Sequence, residues 1–378
     1  MKRNSTKIIT LLLFSIIISN CKQVAKKEVK APLRINNIQV IGSHNSFKQK
    51  IEPALLKLIE QETSQSFEGL QYGHLSFTEQ LENYNLRNLE IDIVYDPKGG
   101  RYAKPLGLEL LKQKGIATQP YDKHKKLEKP GFKAIHVPDI DFRSNCLRFI
   151  DCLQEIKDWS DSHPEHVPIC ITSNAKSDNI DKPGFTKLLP FTTEAFNALD
   201  SEILSVFPKD RIIKPDDVRG NYNTLEEAVR SHNWPKLEDA RGKVMFVLDE
   251  GGEKMEAYLK GHPSLKGRVM FVAAPPGTPQ AAFIIRNYPI RDQDTIKALV
   301  KAGYMVRTRA DEDTKEARKG DYTRFKAALS SGAQFISTDY YEEDKSLGTD
   351  YKIKMPNGVI ARYNPVLNQE QCAGETLE

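Results

Sequence analysis

No apolar run in the 378-residue chain is long enough to span a bilayer. The longest, Ile8 to Ile18, has eleven residues, against about 20 needed. Net charge is small: 55 Lys and Arg against 51 Asp and Glu, a formal +4. That balance excludes nucleic acid as an implied partner. Much of the surplus lies in Lys2, Arg3, Lys7, Lys22, Lys26, Lys27 and Lys30, so the remainder is near neutral. No Gly-rich nucleotide loop follows any apolar run, which speaks against an open dinucleotide-binding sheet. What is present, 39% apolar and 28% charged residues, excludes a disordered, a collagen-like and a multi-span membrane chain. The length suits one large domain or two ordinary ones.

The first residues read as an address. Lys2, Arg3 and Lys7 form a basic start, and Ile8 to Ile18 is broken only by Thr10 and Ser15. This fits the core of a secretory signal. Ile18-Ser19-Asn20-Cys21 resembles a bacterial lipoprotein cleavage site, although Asn20 stands where Gly, Ala or Ser is usual. The resemblance implies a signal peptide over 1–20 and a lipid on Cys21. It also implies an exported protein anchored in a cell envelope, facing the periplasm or the cell surface. The alternative makes Cys21 an incidental thiol in an ordinary signal. Lys-rich residues 21–33 read as a tether.

Five cysteines are present, at 21, 146, 152, 170 and 372. Export permits disulfides, and Cys146 with Cys152 is the expected pair. Within one continuous helix a spacing of six puts them on different faces, too far apart to bridge. A bond therefore requires a helix that begins after Cys146. Cys170, in an apolar run, is expected to be a buried free thiol.

Eight short apolar, β-branched runs recur along the chain: Ile38–Ile41, Leu89–Ile93, Lys133–Ile135, Pro168–Ile171, Val244–Leu248, Val269–Val272, Tyr304–Val306 and Gln334–Ile336. Each ends in polar residues, which predicts buried strands. Helical spacing marks Leu147 to Trp159 and Thr295 to Ala302 before Gly303. A third helix is expected from Asp321 to Leu329 before Gly332. Strands alternating with helices predict an α/β fold with parallel pairing. Eight of them predict a single, distorted (β/α)8 TIM-type barrel over 34–365, followed by a tail over 366–378. Segments 95–132 and 175–240 would be long insertions at the catalytic face, the first a lid.

Residues just past the strand ends share one rim of such a barrel. Here they are His44, Asn45, Glu90, Asp92, His136, Asp139, Asp141, Asn174, Lys176, Asp249, Arg307, Arg309, Asp339 and Tyr340. Glu90 and Asp92, two apart on a strand, point to the same side and repel unless a cation lies between them. With Asn45 and Asn174 they make an all-oxygen set, suited to Ca²⁺ or Mg²⁺ and not to Zn²⁺. His44 and His136 could move protons in phosphodiester cleavage, with Lys176, Arg307 and Arg309 holding a phosphate or its polyol neighbours. Plainer roles exist: Arg307 and Arg309 could pair with Asp311 and Glu312, and Asp139 and Asp141 could cap the following helix. His163, His166, His232 and His262 read as surface residues.

Gly42-Ser43-His44-Asn45-Ser46-Phe47, then Leu89-Glu90-Ile91-Asp92, then a histidine after the next strand, resembles the catalytic half of calcium-dependent phosphoinositide-specific phospholipases C. Three stretches are similar to the bacterial branch: Ile135 to Cys146, Val306 to Thr314, and Ser331 to Gln334 with Ser337 to Tyr340. The similarity covers roughly 36–345. It implies a distorted TIM barrel, one Ca²⁺ on Asn45, Glu90 and Asp92 with Asn174 near it, and catalysis by His44 and His136. Lys176, Arg307, Arg309, Asp339 and Tyr340 would bind substrate. The inositol 2-hydroxyl would attack its own phosphate, releasing diacylglycerol and a cyclic inositol phosphate. Partners would be an inositol phospholipid and, through the lipid anchor, a membrane; the protein would act as a monomer. Relatives commonly carry a glutamate ligand and, two residues later, a lysine after the fourth strand. Here Asn174 and Lys176 stand there, with Asp249 or Asp139 available to compensate. Glycerophosphodiester phosphodiesterases share the barrel and the Glu-x-Asp pair, but typically follow the first histidine with arginine. A surface lipoprotein that binds a polyol phosphate without turnover is the other alternative.

Overall fold

The computed structural model describes residues 32–367 and 377–378. The signal, Cys21, nearly all of the tether, Cys372 and most of the tail lie outside the described residues. Leu33–Glu378 forms one compact unit. Its strands, in chain order, are β1 (Ile38–Ser43), β2 (Asn88–Glu90), β3 (Ile93–Val94), β4 (Lys133–Ala134), β5 (Ile169–Ser173), β6 (Val244–Leu248), β7 (Phe271–Val272), β8 (Phe283–Ile285), β9 (Met305–Arg309), β10 (Phe335–Thr338) and β11 (Ala361–Tyr363).

Eight of these run parallel in the order β7-β6-β5-β2-β1-β10-β9-β8. The two ends of that row meet at a seam, where the Ala273–Phe283 bridge and an Ala274 N–H to Phe283 carbonyl bond of 3.3 Å join them. This is a nearly closed, distorted (β/α)8 barrel, as the strand count predicts. Continuous apolar runs explain it: Val40, Leu89, Ile169, Val244, Phe271, Phe283, Met305 and Phe335 all lie in one buried cluster, as strands covered on both faces require. At the β1–β2 pair the backbones are so close that a Cβ on Gly42 would stand 2.2 Å from the Asn88 carbonyl oxygen. Glycine is needed there for space, not for its φ. The antiparallel β11 covers the N-terminal half of β1.

Two elements differ from the sequence expectation. Lys133-Ala134 is not a barrel strand; β4 pairs antiparallel with β3, in register Ile93 with Ala134. The eighth barrel strand is instead β8, a three-residue run behind a Pro-Pro-Gly turn. The β3–β4 pair ties off the ends of segment 95–132. Tyr102, Leu111 and Leu127 of that segment are buried in a cluster with Ile51, Leu55, Ile135 and Phe142. It is a packed insertion and not a loose lid. Helices cover the outside, including Phe149–Ser162, Gln293–Lys301 and Thr323–Ser331. The first starts after Cys146, and Cys146 and Cys152 form a disulfide with Cα atoms 5.3 Å apart. Cys170 is free and buried. No helix among the described residues is long and apolar enough to cross a membrane.

Candidate active site

The turn after β1 is fixed from several directions. The His44 N–H donates to the Thr338 carbonyl at 3.0 Å, and the Ser46 N–H to the Glu90 carbonyl at 2.8 Å. Ser46 Oγ accepts the Glu90 N–H at 2.8 Å. Asn45 takes φ 51°, a left-handed conformation that asparagine tolerates better than most residues. Beneath the turn lies Lys48, wholly buried, donating to the Leu70 and Tyr72 carbonyls at 2.9 and 2.7 Å. Burial lowers its pKa, and Asp141 Oδ1, 3.4 Å away, opposes that shift. His74 Nε2 bonds the His44 carbonyl at 2.7 Å.

His44 Nδ1 shares a hydrogen with Asp339 Oδ1 at 2.7 Å. A carboxylate can only accept, so Nδ1 carries the hydrogen and Nε2 keeps its lone pair. Nε2 faces Glu90 Oε1 and Arg309 Nη1, each at 3.5 Å. Burial, then Arg309, holds the imidazole well below its ordinary pKa, so it is neutral near pH 7. A charge on His136 adds a further, smaller push in the same direction. His136 Nδ1 bonds Asp141 Oδ2 at 2.7 Å. The side chains of His44 and His136 keep 18% and 16% of their surface exposed, enough for a ligand to reach them.

The basic residues hold the carboxylates in place. Arg307 Nη2 donates to Glu90 Oε2, its Nε to Ser337 Oγ at 2.8 Å and its Nη1 to Asn287 Oδ1 at 3.0 Å. Arg309 Nη2 donates to Asp339 Oδ2 at 2.7 Å. Lys176 Nζ lies 3.0 Å from Asp92 Oδ2; burial acts against its charge, but Asp92 raises its pKa on balance. Arg307 and Arg309 thus pair with site carboxylates and not with Glu312, which binds Arg324 at 3.0 Å. Behind Asp339 stands Asp311, which accepts the Asp339 N–H at 2.8 Å. Burial and then Asp339 push Asp311 up to about 7.

Other predicted residues play lesser parts. Asn174 Nδ2 donates to the Asp249 carbonyl at 2.7 Å, and burial pushes the Asp249 carboxyl up to about 6. Asp139 accepts from Leu106 N, Thr186 N and Thr186 Oγ1 at 3.0, 2.7 and 3.1 Å. It ties two insertions together and does not cap the following helix. Tyr340 is 3% exposed and packs in an apolar cluster with Tyr341 and Tyr351, away from the rim. His166 is not on the surface: its two nitrogens bond Ser160 Oγ and the Val167 carbonyl, each at 2.7 Å. Lys48, Tyr72, His74, Asn287 and Asp311 support the site without having been marked by strand-end position.

Among the described residues, no three His, Cys, Asp or Glu side chains gather as a group able to hold a metal. A cation bound here would draw on other oxygens as well, asparagine amides among them. The orphaned atoms fit that role. Asn45 donates its Nδ2 to Tyr72 Oη at 2.7 Å, which leaves Oδ1 buried without a partner. Asp92 Oδ1 likewise has no partner, whereas its Oδ2 is matched by Lys176 Nζ at 3.0 Å. Leaving such oxygens unmatched costs about 1–3 kcal/mol each, and a hard divalent cation would match them.

The phosphoinositide phospholipase C, Ca²⁺-dependent, family matches residues 33–365. Among solved structures, the chain is similar to the calcium-dependent phosphoinositol-specific phospholipase C of a Gram-negative Pseudomonas species. That match has 16% identity, TM-score 0.52, and covers 88% of this chain and 96% of that one. A Ca²⁺-dependent phosphatidylinositol-specific phospholipase C from Streptomyces antibioticus matches at 17% identity and TM-score 0.51, over 84% and 98%. At such identities the likeness shows a shared fold. No curated protein sequence matches. The match over nearly the whole described chain shows that this protein belongs to the Ca²⁺-dependent phosphoinositide phospholipase C family, whose members are phosphodiesterases.

Proposed function

We propose that the protein cleaves the inositol phosphodiester of phosphatidylinositol, or a related inositol phospholipid, to diacylglycerol and an inositol cyclic phosphate. One observation carries this reading: two histidines at strand-end loops are each oriented by an aspartate at 2.7 Å, and His44 Nε2 lies 3.5 Å from Glu90, the carboxylate bound by Arg307.

His44 Nε2, neutral and with its lone pair directed into the site, accepts the proton of the inositol 2-hydroxyl. The hydroxyl oxygen forms a bond to phosphorus, and the bond from phosphorus to the glycerol oxygen breaks. His136, aligned by Asp141, gives a proton from Nε2 to the departing alkoxide. Arg309 and Arg307 put positive charge beside the phosphate without leaving their carboxylates. Asn45, Glu90 and Asp92, with Asn174 nearby, would hold one Ca²⁺, which when bound supplies charge to the attacking oxygen and the phosphate. Asn174 in place of a carboxylate lowers the negative charge of that set and makes its affinity modest. The basic start, apolar run and Cys21 support an exported protein held in the cell envelope by a lipid anchor.

The test is turnover of phosphatidylinositol and of glycerophosphodiesters by the purified protein, with and without a calcium chelator. Cleavage of phosphatidylinositol that stops on chelation is expected. Cleavage of glycerophosphodiesters alone would replace this reading with the related hydrolase.

A further inference from the structure

Tyr72 is 3% exposed, yet it lies in residues 71–76, which form neither helix nor strand. Several contacts hold that segment against the active-site turn. The Tyr72 carbonyl accepts from Lys48 Nζ at 2.7 Å, and the Lys48 carbonyl accepts the His74 N–H at 2.8 Å. A Cβ on Gly73 would stand 2.5 Å from the Lys50 backbone nitrogen, so the two chains touch there. The Lys48 ammonium sits 4.5 Å from the centre of the Tyr72 ring. The phenol is thereby fixed with Oη 2.7 Å from Asn45 Nδ2. His44 Nδ1 is also 3.4 Å from Oη, but its hydrogen goes to Asp339 at 2.7 Å.

We infer that Tyr72 is a positioning residue for the Ca²⁺ site: its phenol oxygen is the acceptor that Asn45 Nδ2 needs while Oδ1 holds the ion. The inference rests on the reading that Asn45, Glu90 and Asp92 hold Ca²⁺. An amide has two unlike ends. Only its oxygen can bind a hard cation, because the nitrogen carries two hydrogens. In the structure Oδ1 is the end left buried and unpaired, and Nδ2 the end matched by Tyr72. The backbone at Asn45 has no freedom to compensate, since its carbonyl accepts the Lys48 N–H at 2.9 Å and φ is 51°. Phenylalanine at 72 would keep the ring and remove the acceptor alone. With Oδ1 on the ion, Nδ2 would then be a buried donor without a partner, which proteins rarely tolerate. Turning the amide over relieves this but presents N–H hydrogens where the ion belongs.

The experiment measures Ca²⁺ affinity by isothermal calorimetry on the purified, chelator-stripped protein. It compares the wild type, Tyr72→Phe, Asn45→Asp and the double variant, with Glu90→Gln as the control for the site itself. Circular dichroism checks folding. Loss of a group that orients a metal ligand typically weakens binding 10–100-fold, so Tyr72→Phe should cost about tenfold or more. Asn45→Asp puts an oxygen at both ends of the side chain, so neither end needs to be held back. In that background Tyr72→Phe should change affinity by no more than about twofold, the scatter expected of independent sites. Equal losses in both backgrounds would give Tyr72 a general part in folding the turn and overturn the inference. Unchanged affinity in Tyr72→Phe, with Glu90→Gln weakened, would overturn it while leaving the cation site standing. Wild-type affinity in Glu90→Gln, or no Ca²⁺ binding by the wild type, overturns the site and the inference together.

Discussion

His44 and His136 each give Nδ1 to an aspartate at 2.7 Å, yet different architecture holds the two pairs. His44 follows β1, and Asp339 follows β10, its parallel neighbour, in register Ser43 with Thr338. Their closeness is a property of the barrel itself. Arg309 and Asp311 grip Asp339 from behind. His136 and Asp141 are five residues apart in one loop, and no barrel strand connects them. What fixes that loop is Lys48 beneath Asp141, the Asp139 bonds beside it, and the Cys146–Cys152 disulfide after it. One histidine–aspartate pair is thus built by topology, the other by local ties. The second should be the easier to disturb without unfolding the protein.

The largest effect tests whether the two pairs have distinct duties. His44→Ala and His136→Ala should each lower turnover on the order of 10²–10⁴-fold. An inositol phosphodiester whose leaving group is a nitrophenolate needs no proton on departure. It should restore much of the rate lost by His136→Ala and little of that lost by His44→Ala. Equal rescue of both would erase the distinction. Near-wild-type rates in both variants would sink the phospholipase reading altogether.

The strand-built half was the more legible from sequence. A strand ends where an apolar run meets polar residues, so His44, Glu90, Arg307, Arg309 and Asp339 could be gathered from local pattern alone. Tyr340, next along, follows the same pattern but turns into the core, because side chains alternate in direction and pattern at a strand end does not say which way the last one faces. The run at Lys133–Ile135 looked like a barrel strand because length and composition cannot distinguish a parallel core strand from a buried antiparallel ribbon. Conversely β8, short and behind prolines, gave too weak a period. His166 read as surface from its Pro and Glu neighbours; its burial depends on a bond to Ser160 in the preceding helix. His74, Tyr72 and Asp311 act through contacts with residues about 30 positions away, which no local pattern reports.

Breaking the disulfide probes the loop-built half alone. Cys146→Ser with Cys152→Ser should lower stability by about 2–3 kcal/mol, since the loop closed is short. Denaturant midpoints with an unchanged slope would measure it. Turnover should fall further on a substrate with an alkoxide leaving group than on the nitrophenolate, because only the first depends on the placement of His136. If both fall equally, the loop's ties do not serve His136 in particular.

Between the two halves lies the oxygen set. Glu90→Gln should weaken Ca²⁺ binding more than Asn174→Ala, because it removes formal charge. Asn174→Glu should tighten binding by about tenfold or more, near 1.4 kcal/mol. Isothermal calorimetry on the three variants reads this directly. Equal affinity in wild type and Glu90→Gln would place the cation elsewhere.

The smallest effect concerns how the His44 pair is tuned. Burial is the leading cause of its lowered pKa and Arg309 the next. A general base works only when unprotonated, so kcat/KM should rise with pH through the His44 titration and level off above it. With the pKa well under 6.5, that acid limb should lie below pH 6.5 in the wild type. Arg309→Met removes the nearest positive charge from Nε2. It also frees Asp339 to act more strongly on Nδ1. Both changes favour the imidazolium, so the acid limb should move upward in pH. The plateau should change less than the position of the limb, as the aspartate contact at 2.7 Å still orients the ring. Because His136 shares no direct contact with Arg309, a limb set by His136 would not move. A profile measured from pH 4.5 to 8 on the nitrophenolate substrate separates the two, since departure then needs no acid. An unmoved limb in Arg309→Met would mean that the strand-built histidine is not the base.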